Sequence, residues 1–129
     1  MAYVMANAAF IGMLSRSLQY PTHQRPYSCN FKLGHVRQRS VFTFVNHNFL
    51  HIELDGMISA NEIVAYSLNS RQELECNLPL TLQRKIGALG TRLDSVVYVP
   101  SEDHIKLIVR PPFRWPIEVI LTPYCSENS

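Results

Sequence analysis

Beyond Pro26, apolar side chains recur at every second position in short runs, and this period of two constrains the fold more than any other feature of the chain. A strand turns successive side chains to opposite faces, so each run calls for one dry surface and one wet one. Tyr27, Cys29, Phe31 and Leu33 alternate with Ser28, Asn30, Lys32 and Gly34. Val41 to Val45 is β-branched and aromatic, and Leu50, Ile52 and Leu54 alternate against His51 and Glu53. Asn46-His47-Asn48 reads as the hairpin loop between them, and Asp55-Gly56 as the close. Leu74, Cys76, Leu78 and Leu80 form a fourth run. Ser95 to Val99 and Ile105, Leu107 and Val109 flank a turn at Pro100-Ser101-Glu102-Asp103, and a last strand, Ile117 to Thr122, is stopped by Pro123.

Three segments carry helical signals instead. Met1 to Gln19 is rich in Ala, Met and Leu, with Val4, Ala8 and Ile11 at helical spacing, and ends at Tyr20-Pro21. Such a helix suits a core or oligomer contact, an interfacial membrane segment or an acid-free transit segment. Ser59-Ala60-Asn61-Glu62 has capping-box spacing and predicts a short helix to about Leu68, although Val64, Tyr66 and Leu68 also alternate as a strand would. Thr81 is placed to cap a helix whose Leu82, Ile86, Leu89 and Leu93 share one face. The reading is therefore an α+β domain over residues 21–125. Its antiparallel sheet of five to seven strands carries one or two covering helices, with an apolar N-terminal helix over 1–20 and a frayed tail over 126–129.

The 129 residues, 47% of them apolar, suffice for one core without a disulfide or metal. Cys29, Cys76 and Cys125 are an odd number with no C-x-x-C pair, which fits reduced thiols in an intracellular compartment, the cytoplasm before an organelle. Met1 to Leu14, the longest uncharged apolar stretch, is too short to span a bilayer, so no transmembrane segment is expected.

Charge is unevenly distributed. Residues 1–52 hold Arg16, Arg25, Lys32, Arg37 and Arg39 and no acid, a net +5; residues 53–129 hold seven bases and ten acids, a net −3, which together give the overall +2. That layout fits contact with nucleic acid, an anionic membrane or an acidic partner, or head-to-tail self-association. Folding could instead interleave the halves and average the field.

Chemistry-bearing motifs are scarce. In an extended segment His47 and His51 lie roughly 13 Å apart, too far to share a metal, whereas His51 and Glu53 are neighbours. Glu102-Asp103 beside His104 contains the groups for acid–base work but sits in a turn, where solvated residues are expected. The chain has no G-x-S-x-G, H-E-x-x-H, P-loop or G-x-G-x-x-G. Its most unusual composition is Arg110-Pro-Pro-Phe-Arg-Trp-Pro116, where Arg110, Phe113, Arg114 and Trp115 lie on a backbone stiffened by proline. It could stack bases, grip a partner or meet a neighbouring subunit; as a plain crossover between edge strands it would anchor Trp115 in the domain's own core.

These features favour a non-enzymatic, self-associating accessory protein with a matrix-like role, with no cofactor, metal or catalytic residue assigned. Arg16, Arg25, Lys32, Arg37 and Arg39 would meet an anionic surface, and Arg110, Phe113, Arg114 and Trp115 a partner or subunit. A nucleic-acid module held by phosphate contacts, and a small histidine-dependent hydrolase or nuclease, are the alternatives.

Overall fold

The computed structural model describes residues 18–33 and 35–123, with the side chain of Leu33 left out. Eight strands follow in chain order: β1 (Pro26–Leu33), β2 (Val36–Phe44), β3 (Phe49–Gly56), β4 (Ala60–Leu68), β5 (Leu74–Cys76), β6 (Arg92–Val99), β7 (His104–Arg110) and β8 (Ile117–Leu121). One helix, α1 (Leu80–Ala88), lies between β5 and β6. β1 to β5 form a five-stranded antiparallel sheet in sequence order, and β6 to β8 a three-stranded one. The expected α+β layering with covering helices is thus corrected: the fold is mostly β, with 57% of the described residues in strands and 9% in helix. The expected N-terminal helix lies outside the described residues except at its end, where residues 18–20 have no regular structure.

The two sheets are stitched together at both edges. Ser28 and Thr122 exchange backbone bonds of 3.0 and 3.2 Å, joining β1 to the end of β8. Glu73 bridges Val97, and the Tyr98 amide donates to the Gln72 carbonyl at 3.0 Å, joining the β5 edge to β6. The eight strands therefore run round a meander closed by single bridges at its two seams, an arrangement whose interior is just wide enough to be filled by side chains or to hold one small ligand.

Alternation supplies the core. Tyr27, Phe42, Phe44, Leu50, Ile52, Val64, Tyr66, Leu68, Val96, Tyr98, Ile105, Leu107, Val109, Val119 and Leu121 all turn inward and are buried, each such apolar side chain contributing about 1.5–3 kcal/mol against exposure. Two expectations fail for local reasons. Ala60–Leu68 is a strand because Val64, Tyr66 and Leu68 find the core at period two; the Ser59 hydroxyl donates to the Gly56 carbonyl at 3.4 Å and caps nothing. Helix α1 begins at Leu80 with Pro79 as its N-cap and no side-chain cap, so Thr81, expected as the cap, lies inside it. It stops at Gly90, whose φ of +69° and close approach to Pro112 (3.3 Å for an added Cβ) suit glycine. Leu93 consequently belongs to β6.

Candidate functional site

Because the strands alternate in direction, all connections fall at one of two ends. The first end carries the loops 45–48, 69–73 and 100–103, and the second carries the β1–β2 turn, the loop 57–59, α1 and the crossover 111–116.

The first end is closed by hydrogen bonds. Asp103, at the left-handed φ of +50°, accepts from the Tyr27 hydroxyl at 2.6 Å and the Tyr98 hydroxyl at 2.8 Å, and pairs with Arg25 at 2.8 Å. The Thr22 amide donates to the Tyr27 hydroxyl at 3.0 Å. Burial on its own would raise the Asp103 carboxyl, but the two phenol donors and the Arg25 charge outweigh it and hold the group below its ordinary value. Burial, reinforced by the carboxylate, pushes the Tyr27 and Tyr98 hydroxyls up. Beneath this knot Tyr27 meets Phe44 and Tyr98 edge-to-face, and Phe44 meets Tyr66 likewise. Glu102 lies 3.7 Å from His104, while Asp103 faces the tyrosines.

The histidines are dispersed. His47 packs at a tilt against Tyr20 and meets His23 edge-on at the first end, and His51 bonds to Asn61 at 2.6 Å on the outer wall, 3.7 Å from Glu53. Among the described residues no group of three His, Cys, Asp or Glu side chains is placed to hold a metal ion, and no helix is long and apolar enough to cross a membrane. Cys29 and Cys76 are not joined in a disulfide, and burial pushes the Cys76 thiol up. Cys125 and Arg16 lie outside the described residues.

The second end is hollow. Leu82 and Ile86, one turn apart on α1, face Phe42, Ile52, Leu54 and Leu107 across a cavity of about 90 Å³. The inward positions of β2 above Phe42 are polar: Gln38 is 2% exposed and Ser40 is 3% exposed. Gln38 is fully engaged. Its side-chain oxygen accepts from the Ile58 amide at 2.9 Å, and its nitrogen donates to the Ile58 carbonyl at 2.9 Å and to the Arg39 carbonyl at 3.3 Å, pinning the loop 57–59 over the barrel. Gly56 permits that clamp: at φ +147° an added Cβ would lie 2.3 Å from the Arg37 carbonyl oxygen. Ser40 lines the cavity. Past Thr91, which borders both spaces, a second space of about 220 Å³ runs between Met57, Leu89, Pro112, Arg114 and Ile117.

The rim of this end is basic and apolar together. Val36, Met57, Leu80, Phe113 and Trp115 are exposed large apolar side chains, with Phe113 at 106% and Trp115 at 87%. The expectation that Trp115 would anchor in the domain's own core is therefore corrected: the three prolines stiffen the crossover, and Phe113 adopts φ +56°, leaving both rings in solvent. Lys32 and Arg37 are direct cross-strand partners beside the β1–β2 turn, a like-charge placement that is unfavourable without an anion nearby. Arg39 follows on the same outer face, and Arg84 and Arg114 belong to α1 and the crossover. None of these five is in an ion pair with another described residue. Arg110, by contrast, shares Asp94 with Arg92, both at 2.9 Å, and these bonds, that of Arg92 foremost, lower the Asp94 carboxyl.

The structure thus brings Lys32, Arg37 and Arg39 together and sets Arg25 apart, at the opposite end of β1 against Asp103. Sequence order and spatial order coincide around a meander. Along the wall β1–β2 carries Lys32, Arg37 and Arg39, and the stretch from β3 to β5 carries Glu53, Asp55, Glu62, Glu73 and Glu75 against Arg71; the two stretches meet where Arg39 stands directly opposite Asp55. The chain matches no protein-family model, and no curated protein or solved structure is significantly similar to it.

Proposed function

We propose that this chain is a non-enzymatic accessory protein that seats the second end of its barrel on an anionic membrane surface. The observation that carries the reading is the outward pair Phe113 and Trp115 with the unpaired Arg114 between them. Rings of this kind sit at the boundary between headgroups and acyl chains, while arginine stems lie along apolar surface and keep their charge at the phosphates. Val36, Met57 and Leu80 widen the apolar footprint without offering a stacking platform. That favours lipid over single-stranded nucleic acid, whose affinity rests on aromatic rings and phosphate contacts. Each Lys or Arg near an anionic leaflet supplies about 1 kcal/mol, so Lys32, Arg37, Arg84 and Arg114 together suffice for reversible attachment.

Trp115 is the only tryptophan of the chain, so its fluorescence reports insertion directly. Sedimentation with vesicles of phosphatidylcholine, with and without phosphatidylserine, should show binding and a blue shift only with the anionic lipid. Arg114→Glu and Phe113→Ser should each weaken binding, and added salt should release the protein. No blue shift with anionic vesicles refutes the reading. Quenching by a single-stranded RNA oligonucleotide, with vesicles ignored, assigns the face to nucleic acid instead.

A further inference from the structure

We infer that the cavity beneath α1 is a binding site for a slender aliphatic molecule carrying one hydroxyl or carbonyl oxygen, with Ser40 as the residue that recognises that oxygen. The inference is independent of membrane attachment. It starts from the Ser40 hydroxyl, which lines the cavity, belongs to a residue 3% exposed, and has no hydrogen-bond partner among the described residues. A buried polar group left unpaired is destabilising, and natural interiors pair nearly all of them.

Three lining residues carry polar side chains, and of these Thr91 is half-buried at the border with the neighbouring space, while Gln38 and Ser40 are buried. The Gln38 amide is spent on the Ile58 backbone and the Arg39 carbonyl. Phe42, Ile52, Leu54, Leu82, Ile86 and Leu107 present only carbon. A water molecule needs two to four polar partners to be held in such a place, more than the Ser40 hydroxyl supplies by itself. A ligand that brings its own carbon chain needs only that one. Because Ser40 is both donor and acceptor, it pairs with an alcohol or with a carbonyl, and it leaves an alkane unrecognised.

Size narrows the class further. The cavity of about 90 Å³ is below the 150 Å³ or so that accepts benzene, so it holds only a few carbon atoms, and a longer molecule must be unbranched and reach beyond it. Beyond Thr91 the neighbouring space of about 220 Å³ gives a longer chain somewhere to continue. Together the two spaces reach only the lower end of the range of small-molecule sites, roughly 300–1,000 Å³. Ser40 faces the barrel interior, Leu82 and Ile86 line the cavity from the helix side, and the cavity is partly open, so a ligand can enter without a rearrangement of the strands.

The test is an NMR titration of the intact chain with straight-chain primary alcohols from butanol to octanol, with 1-hexanol compared against hexane. Shifts should centre on Leu54, Ile86 and Leu107, and affinity should rise roughly fourfold per methylene until the space is filled. Ser40→Ala should weaken 1-hexanol by about three- to tenfold, leave the gain per methylene unchanged and leave hexane unaffected. Ser40→Leu should abolish binding by filling the cavity, and Ile86→Phe does the same from the helix side should Ser40→Leu fail to fold. Absence of alcohol binding to the unaltered chain, affinity independent of chain length, or equal affinity in Ser40→Ala overturns the inference. None of these outcomes depends on vesicle binding, which is read separately from Trp115.

Discussion

The two ends of the barrel are built from the same strands yet finished in opposite ways. At the first end Asp103 draws Tyr27, Tyr98 and Arg25 into one knot over interlocked aromatic rings. At the second end the clamp of Gln38 on Ile58 secures a loop, but the space beneath α1 is left open and the rim carries exposed Phe113 and Trp115. A closed wall needs rigidity somewhere to keep its register. Concentrating it at one end leaves the other free to carry apolar surface and unpaired charge, neither of which helps folding.

That contrast predicts a graded response to substitution. The largest effect belongs to the packed region: Ile105→Ala, at a fully buried side chain opposite Leu121, should cost about 2–5 kcal/mol in urea unfolding. A loss below 1 kcal/mol would show that the first end is not the rigid one. Next comes the knot itself. Asp103→Asn retains a residue tolerant of the left-handed backbone but loses charge-assisted bonds, and roughly 1.5–3 kcal/mol of stability should go with them.

The same knot sets a pH dependence. The Asp103 carboxyl lies below its unfolded value when folded, so its contribution is fully present above about pH 4 and disappears as the pH falls through the folded value. Asp103→Asn should flatten the acid limb of the stability curve, and an unchanged limb would assign it to other carboxylates.

At the second end the sign reverses. Ser40→Ala removes an unpaired buried hydroxyl and should be neutral or gain up to about 1 kcal/mol; a clear loss of stability would mean that the hydroxyl is paired within the fold. Phe113→Ser and Trp115→Ser should change stability by less than about 0.5 kcal/mol, while vesicle binding falls. A larger loss would place the rings in the structural core of the crossover.

Much of this fold could be read from period two, since β3, β7 and β8 turn only hydrocarbon side chains into the core. β2 is the instructive failure. Its front half, Val36-Arg37-Gln38-Arg39-Ser40, looks polar throughout because its inward residues are Gln38 and Ser40, so the expected strand began only at Val41. The hidden half of that strand is where the cavity lies, because a hydroxyl facing a hollow has no apolar signature. Glu62 misled in the other direction: its spacing from Ser59 imitates a helix start, whereas tertiary packing of Val64 and Tyr66 decides for a strand. Closure was illegible, each seam being a single bridge between segments remote in sequence. The crossover Arg110 to Pro116 stood out by composition alone, but composition carries no information on which way Trp115 points.

The closed meander also fixes the geography of attachment. The chain enters β1 at Pro26 and leaves β8 at Leu121 on the same side of the barrel, where Ser28 and Thr122 clasp each other. The outer ends of β1 and β8 consequently lie at the pole facing away from Phe113 and Trp115. A short peptide joining the start of β1 directly to the end of β8 would allow the ring to be reopened at an exposed hairpin such as Asn46 to Asn48.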